Sequence, residues 1–200
     1  MRAETRKQRR AEIEAAAYEL LEEKGFAGMS VLSVAQRAKA SNGTLYQWYG
    51  NKIGLFEALV AGNAAAIRET LERALEDQSA PWDVLARLGP ELLGLLLSPR
   101  AIALNRAAAA DASGALGAAL SEAGRGSIAP LITQVIEQAQ GQGALAPDPD
   151  AAEISDTYLR LLIGDLQIRV VAGHQEPPRP DARTQRAQMA LEQLQRLYPA

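Results

Sequence analysis

Ser41–Lys52 reads SNGTLYQWYGNK and gathers Tyr46, Trp48 and Tyr49 into twelve positions of a chain with only nine aromatic residues. Elsewhere the apolar positions are mostly Leu, Ile and Ala, so an ordinary core helix does not account for this stretch. Ser41 stands where an N-cap belongs, and a helix through about Tyr49 follows from it. Leu45 and Tyr49 lie four apart and face inward together, which leaves Asn42, Thr44, Gln47 and Trp48 largely outside. Gly50 and Asn51 end this helix and cap the next.

Working outward, the pattern before Ser41 predicts two more helices. The first starts near Thr5, with Ile13, Ala16, Ala17, Leu20 and Leu21 on one face at spacings of three and four, and Gly25 stops it. The second is only about two turns long; Ser30 caps it, and Val31, Val34, Ala35 and Ala38 form its apolar stripe. After Asn51, the apolar face from Leu55 and Phe56 to Leu75 predicts one long helix to about Glu76. Further helices are expected over Trp82–Leu97, Ala101–Asp111, Ile128–Gln140, Ala151–Val171 and Arg183–Tyr198. Between them lie SPR, the glycines from Ser113 to Gly126, GQG with APDPD, and HQEPPRPD. Asp150 with Glu153 reads as a capping box. The fold class is all-α, because Ala and Leu abound while Ile, Val, Thr and aromatics are sparse.

Composition narrows the chemistry. The 200 residues include no cysteine and one histidine, His174, in a proline-rich linker. A disulfide framework, a thiolate metal site and most histidine catalysis are therefore excluded, and no metal or cofactor is expected. Phosphate-loop, dinucleotide-glycine and nucleophile-elbow motifs are missing, so an enzyme has no site to stand on. No apolar run approaches the roughly 20 residues that cross a bilayer, and the amino-terminus is charged; the expected location is the cytoplasm, without membrane attachment. The net charge of −3 is unevenly spread. Arg2, Arg6, Lys7, Arg9 and Arg10 make the amino-terminal end positive, and such an arm commonly meets a polyanion, though a solvated terminus is the alternative.

Two short helices around a tight turn, the second with polar and aromatic residues exposed at its start, form the pattern of a helix-turn-helix whose second helix enters the major groove of DNA. Gly43 lets backbone approach phosphate or base, Thr44 offers a hydroxyl and a methyl, and Asn42 and Gln47 can pair with base edges. The Tyr46 hydroxyl and the Lys52 ammonium suit phosphate, as do the backbone N–H groups at the helix start capped by Ser30. Trp48 can stack on the DNA backbone or pack inside. The candidate DNA contacts are thus Arg6, Lys7, Arg10, Ser30, Ser41, Asn42, Gly43, Thr44, Tyr46, Gln47, Trp48 and Lys52. A cap-rich helical hairpin is the alternative, but it leaves the basic arm, Gly43 and Lys52 unexplained together.

The run GFAGMSVLSVAQRAKASNGTLYQWYGNKIGLFEAL resembles the DNA-binding segment of the TetR family of bacterial transcriptional regulators, above all in Gly43–Tyr46, Tyr49, Lys52, Leu55 and Phe56. The likeness covers about residues 5 to 65. It implies a DNA-binding unit over residues 1–50, with the helix-turn-helix at about 30–49, and an effector-binding and dimerisation unit over 51–200. Four positions depart from the family pattern. Lys39 stands where glycine is usual, Gly50 where proline is frequent, Trp48 where histidine or tyrosine is common, and Leu32 where a polar residue faces DNA.

What the resemblance implies is a homodimer on a double-stranded, palindromic operator, most simply a repressor released by a small, largely apolar effector. An activator, or a protein of the same fold acting through protein partners, is the alternative. The family's effector pocket lies among the middle helices, which here offers Trp82, Leu85, Leu88, Leu92, Leu93, Leu104, Asn105, Ala108, Ile132, Val135 and Tyr158 as lining. Asn105, Arg106, Asp111, Asp165 and Arg169 are its candidate polar groups. Leu159, Leu162 and Leu166 on the strongly apolar segment, with Ala187, Leu191, Leu194, Leu197 and Tyr198 on the last helix, are the candidate dimer seam; an intramolecular bundle is the competing use of the same spacing.

Overall fold

The computed structural model describes the backbone of residues 2–200 and the side chains from Thr5 onward, so the Arg2 side chain of the basic arm lies outside the described residues. Eleven α-helices and one π-helical turn are present among them, and no strand. The first four helices are α1 (Arg2–Gly28), α2 (Val31–Arg37), α3 (Asn42–Tyr49) and α4 (Lys52–Glu76). Next come α5 (Pro81–Leu96), α6 (Pro99–Ala109) and α7 (Ala115–Leu120). The π turn (Ser121–Arg125), α8 (Gly126–Gly141), α9 (Ala151–Ile163), α10 (Leu166–Val171) and α11 (Pro180–Leu197) complete the chain.

The amino-terminal elements follow their caps. Gly25 leaves helical geometry at φ 66°, kinking α1 before Gly28. Ser30 Oγ accepts from Ser33 N at 3.0 Å while Ser33 Oγ accepts from Ser30 N at 2.9 Å, a reciprocal box that starts α2. Ser41 Oγ caps α3 through Thr44 N at 3.1 Å, and Asn51 Oδ1 caps α4 through Ile53 N and Gly54 N. Lys39, between α2 and α3, has φ 50°, the left-handed region that glycine adopts most easily, which accounts for glycine being usual there.

Two expectations fail in the second half. The glycines between Ser113 and Gly126 do not form a linker; they hold α7 and the π turn. Asp111 makes this possible: its carboxylate accepts from Leu116 N at 2.9 Å and from Ser113 N at 3.2 Å, doing the work of a cap across the turn at Gly114. The Leu116 N–H foremost, then the Ser113 hydroxyl, hold its pKa below the ordinary value. The predicted single helix over Ala151–Val171 is two helices. Gly164, at φ 52°, breaks it, and Arg186 from α11 satisfies the freed carbonyls of Leu162 and Ile163 at 2.5 and 3.0 Å. Beyond the break Ile168 is 61% exposed, so the segment is not buried all round.

Two hydrophobic clusters result. One joins α1, α2, α3 and the first half of α4, with Phe56, Leu45 and Ile13 fully buried, and takes in Leu104, Ala107, Leu116 and Ala119 from α6 and α7. The other holds the rest of α4 with α5, α8, α9, α10 and α11. The two meet on α4, where Val60 belongs to the first and Ala64 to the second.

Candidate nucleic-acid interface and interior cavity

The capped start of α3 is open to solvent. Ser41, Asn42, Gly43 and Gln47 are exposed, and Tyr46 is 55% exposed. Thr44 is half-buried, its hydroxyl 2.8 Å from that of Ser41. A Cβ on Gly43 would meet only Ser41 Oγ, at 3.8 Å, so the backbone there is accessible. Ser30 is exposed at the start of α2, with Leu32 beside it at 48% exposure.

The basic arm is helical, as part of α1, and it braces α3. The Arg6 guanidinium lies 5.5 Å from the Trp48 ring centroid and that of Arg10 lies 5.8 Å from Tyr49. Trp48 is half-buried against the amino-terminal cluster, so it packs as well as stacks. Lys7 is exposed. Arg9 was no candidate contact, yet it donates to Lys39 O at 2.5 Å and so pins the strained turn ahead of α3. Arg37 similarly ties α2 to α1 through Glu19 and Glu23, at 3.2 and 2.7 Å.

Lys52, a candidate DNA contact, is also held from within the chain. Its Nζ lies 4.1 Å from the Phe26 ring centroid and donates to Ala27 O at 3.4 Å, and burial pulls its pKa below the ordinary lysine value. Its first task is to hold the start of α4 against the end of α1.

An interior cavity of about 310 Å³ lies between α4, α5, α6, α7, the π turn, α8 and α9, with Gln167 of α10 also on its wall. Leu92, Leu104, Asn105 and Ile132, expected as lining, do line it. The other candidates do not. Leu85, Leu88, Leu93, Val135 and Tyr158 are core, the Tyr158 hydroxyl donating to Leu85 O at 3.2 Å; Trp82 packs on that core and Ala108 on the amino-terminal cluster. Asn63, Leu96, Leu120, Ile128, Ile163 and Gln167 line it without having been foreseen. Nothing in their spacing separates them from core residues.

Outside this cavity, a groove of about 810 Å³ runs along the π turn, α8 and α9. Arg125 and Ser121 line both spaces, and Arg125 Nη2 contacts Asp156 Oδ1 at 2.6 Å. Of the other polar candidates, Arg106 donates to Val171 O at 2.8 Å and Arg169 pairs with Asp165 at 2.6 Å, so both serve local structure. Among the described residues no grouping of His, Asp and Glu could hold a metal, and no helix is long and apolar enough to cross a membrane.

The proposed dimer seam is mostly interior. Leu159, Leu162, Leu166, Ala187 and Leu194 are buried within the chain, and Leu159 borders the cavity. The three-and-four spacing on α11 is used for packing against α5 and α9. Leu191 and Tyr198 are partly covered, the Tyr198 hydroxyl lying 3.1 Å from Thr157 Oγ1, and Leu197 is exposed. On the outer side of the same helices, Leu161, Gln185, Met189 and Gln193 share a shallow groove.

Residues 13–59 match the profile of the bacterial regulatory proteins, tetR family, and residues 83–200, more than half the chain, match the profile of the AefR-like transcriptional repressor, C-terminal domain. The chain belongs to the TetR family of transcriptional regulators. A stretch of 37 residues is 54% identical to the uncharacterized HTH-type transcriptional regulator YdeS of Bacillus subtilis (strain 168), covering 18% of this regulator and 19% of that relative. A crystal structure from Mesorhizobium loti MAFF303099, assigned to the TetR family, superposes with a TM-score of 0.77 at 20% identity, over 96% of this chain and 98% of that one. The Bacillus subtilis transcriptional regulator FadR, in complex with stearoyl-CoA, gives 0.72 at 16% identity, over 92% and 96%. These two likenesses establish a common fold. The regulator's helix-turn-helix is thus α2 and α3, braced by α1.

Proposed function

We propose that this TetR-family regulator is a homodimeric repressor that leaves a palindromic operator when a small, largely apolar effector fills the interior cavity. The observation that carries this reading is that α4 belongs to both sites. Its Asn51 cap follows closely on α3, while Val60, Asn63 and Ala64, about two and a half to three and a half turns further on, line the cavity. An occupant that moves this wall moves the helix from which α3 hangs. The coupling needs only differential affinity for two arrangements, typically worth about 1 to 3 kcal/mol.

On the DNA side, Asn42, Gly43, Tyr46 and Gln47 are the reading residues, with Ser30, Ser41, Thr44 and the Arg6, Lys7 and Arg10 arm toward phosphate. Lys52 supports the reader through Phe26 and Ala27 and adds positive charge near it. Leu161, Met189, Leu191 and Leu197 on the outer side of α9 and α11 are the apolar contribution to the two-fold interface. Two readers must then stand about 34 to 36 Å apart to meet successive major grooves. The stearoyl-CoA held by FadR is a precedent for an effector within this fold, not for its identity here.

The test is selection of bound duplexes from a random pool, followed by anisotropy titration of the best sequence. Binding should weaken as salt rises, with a log–log slope of about −0.9 per phosphate neutralised. Tyr46→Ala should weaken it about tenfold. A pool that yields no preferred sequence, or an unaltered affinity in Tyr46→Ala and Gln47→Ala together, would remove the DNA-reading assignment.

A further inference from the structure

We propose that the cavity takes an uncharged, mainly apolar compound bearing a hydroxyl or similar hydrogen-bond donor, which the carboxamide oxygens of Asn105 and Gln167 receive; this rests on the effector-responsive reading above. The walls set the first condition. Leu92, Leu96, Leu104, Ile128, Ile132 and Leu159 make most of the surface apolar, and about 310 Å³ is at the small end of the roughly 300 to 1,000 Å³ typical of ligand pockets.

The polar groups set the second. Asn105 Nδ2 donates to Ala101 O at 2.8 Å and Gln167 Nε2 donates to Leu96 O at 3.2 Å. Each amide nitrogen is thereby fixed on main chain, and among the described residues neither carboxamide oxygen accepts a hydrogen bond. With their nitrogens engaged, these two carboxamides offer oxygen acceptors on a mainly apolar wall, which suits a donor on the occupant. Asn63, on α4, makes no hydrogen bond among the described residues and can turn to give or accept one. A ligand bound to Asn63 would touch the helix that carries the DNA reader.

Charge sets the third. No Lys, His, Asp or Glu lines the cavity, and its one ionised side chain, Arg125, lies where cavity and outer groove meet and already faces Asp156 at 2.6 Å. An anion entering the apolar interior would meet two carbonyl oxygens and no free cation. A cation would find the oxygens but no carboxylate. Burial of either ion without a partner is strongly unfavourable, whereas a hydroxyl needs only the acceptor it would find.

A matched set of probes of one size tests this: naphthalene, 2-naphthol and 2-naphthoate, titrated calorimetrically at neutral pH into the full-length protein, its Asn105→Leu and Gln167→Leu variants, and the double variant. The expected order is 2-naphthol about tenfold tighter than either naphthalene or 2-naphthoate. In the double variant the preference of naphthol over naphthalene should vanish. Because that preference is a ratio within one protein, a general loosening of the fold does not produce the change, and thermal melts of each variant check folding separately. Equal or tighter binding of 2-naphthoate, a naphthol preference that survives the double substitution, or no binding of any probe would overturn the proposal. Operator anisotropy recorded alone, with 2-naphthol and with 2-naphthoate keeps the two readings apart. Naphthol bound with no operator released refutes the effector response alone, and release by the anion refutes the ligand chemistry alone.

Discussion

The DNA-reading end and the larger helical body use opposite kinds of space. At the amino-terminal end the interior is filled and the working groups stand outside: Leu45 and Tyr49 are buried so that Asn42, Tyr46 and Gln47 on the same helix can face outward. In the body the feature on which the proposed function draws is volume that side chains leave empty between α4, α6, α8 and α9. A surface site depends on which residues are present. A cavity depends on how far their side chains fall short of one another, a property of packing that no single residue carries. The contrast can be broken most directly where the reader's core is deepest. Phe56 of α4, fully buried and edge-on to Phe26 of α1 at 5.6 Å between ring centroids, belongs to the cluster that joins α1, α2, α3 and α4. Phe56→Ala should lower stability by about 3 to 5 kcal/mol in denaturant titration and abolish operator binding at assay temperature. A loss below about 1 kcal/mol would mean the head is not packed as described.

Glycines sharpen the comparison, because a Cβ meets a packed neighbour at one of them and open space at another. In the body, a Cβ at Gly89 would stand 2.6 Å from Ala187 Cβ and 3.2 Å from the Tyr158 hydroxyl. Helix α11 lies directly on α5 there, and the obstructing methyl is tethered to backbone, so the helices must part. Gly89→Ala should therefore destabilise by about 1 to 3 kcal/mol from overpacking, against a helix-propensity gain of at most about 1. Ala187→Gly in the same chain should restore much of the loss. A double variant no more stable than Gly89→Ala would place the conflict elsewhere.

Caps come next in size. Asn51 Oδ1 accepts from Ile53 N at 2.8 Å and Gly54 N at 2.9 Å, setting the angle at which α4 leaves α3. Asn51→Ala should cost about 1 kcal/mol in a thermal melt, and Asn51→Asp should keep nearly all of it. Equal losses for the two substitutions would show that the side-chain acceptor is not what starts the helix.

The same contrast decides how much could be read from sequence. Ser30, Ser41 and Asn51 are local signals: each side chain satisfies an N–H two or three residues away, so the helix starts they announce need no tertiary knowledge. Their helices start where those residues predict. Asp111 acts over five residues and across a glycine turn, which is why α7 escaped notice among glycines that otherwise read as linker. The break at Gly164 depends on Arg186, twenty-two positions later, satisfying the carbonyls it frees; without that partner, the apolar run favours one continuous helix. Lys52 was legible as a cation near the reader but not as one bound to Phe26, since the kink at Gly25 brings that ring beneath it. For α11, spacing identified the buried seam of Ala187 and Leu194 but could not say whether another subunit or this chain's own α5 and α9 cover it. The cavity was the least legible of all. Leu104 and Ile132 line it while Leu85 and Val135 fill the core, and the four are alike in chemistry and periodicity.

Gly43→Ala should have the smallest effect on stability and, for that reason, discriminate best between the two uses of space. A Cβ there meets only Ser41 Oγ at 3.8 Å, an ordinary contact, so nothing within the chain resists the methyl. Helix propensity favours alanine by up to about 1 kcal/mol, and the position lies in the first turn of α3, where the gain is smaller. The folded chain should therefore be as stable as before or slightly more so. If the open backbone at Gly43 is there for close approach of phosphate or base, operator affinity should nevertheless fall, about tenfold for one displaced contact in anisotropy titration. Stability and binding would then move in opposite directions, which no packing role can produce. An unchanged affinity would show that DNA does not come within reach of the start of α3, and would shift the reading surface toward α2, where Leu32 stands exposed beside Ser30.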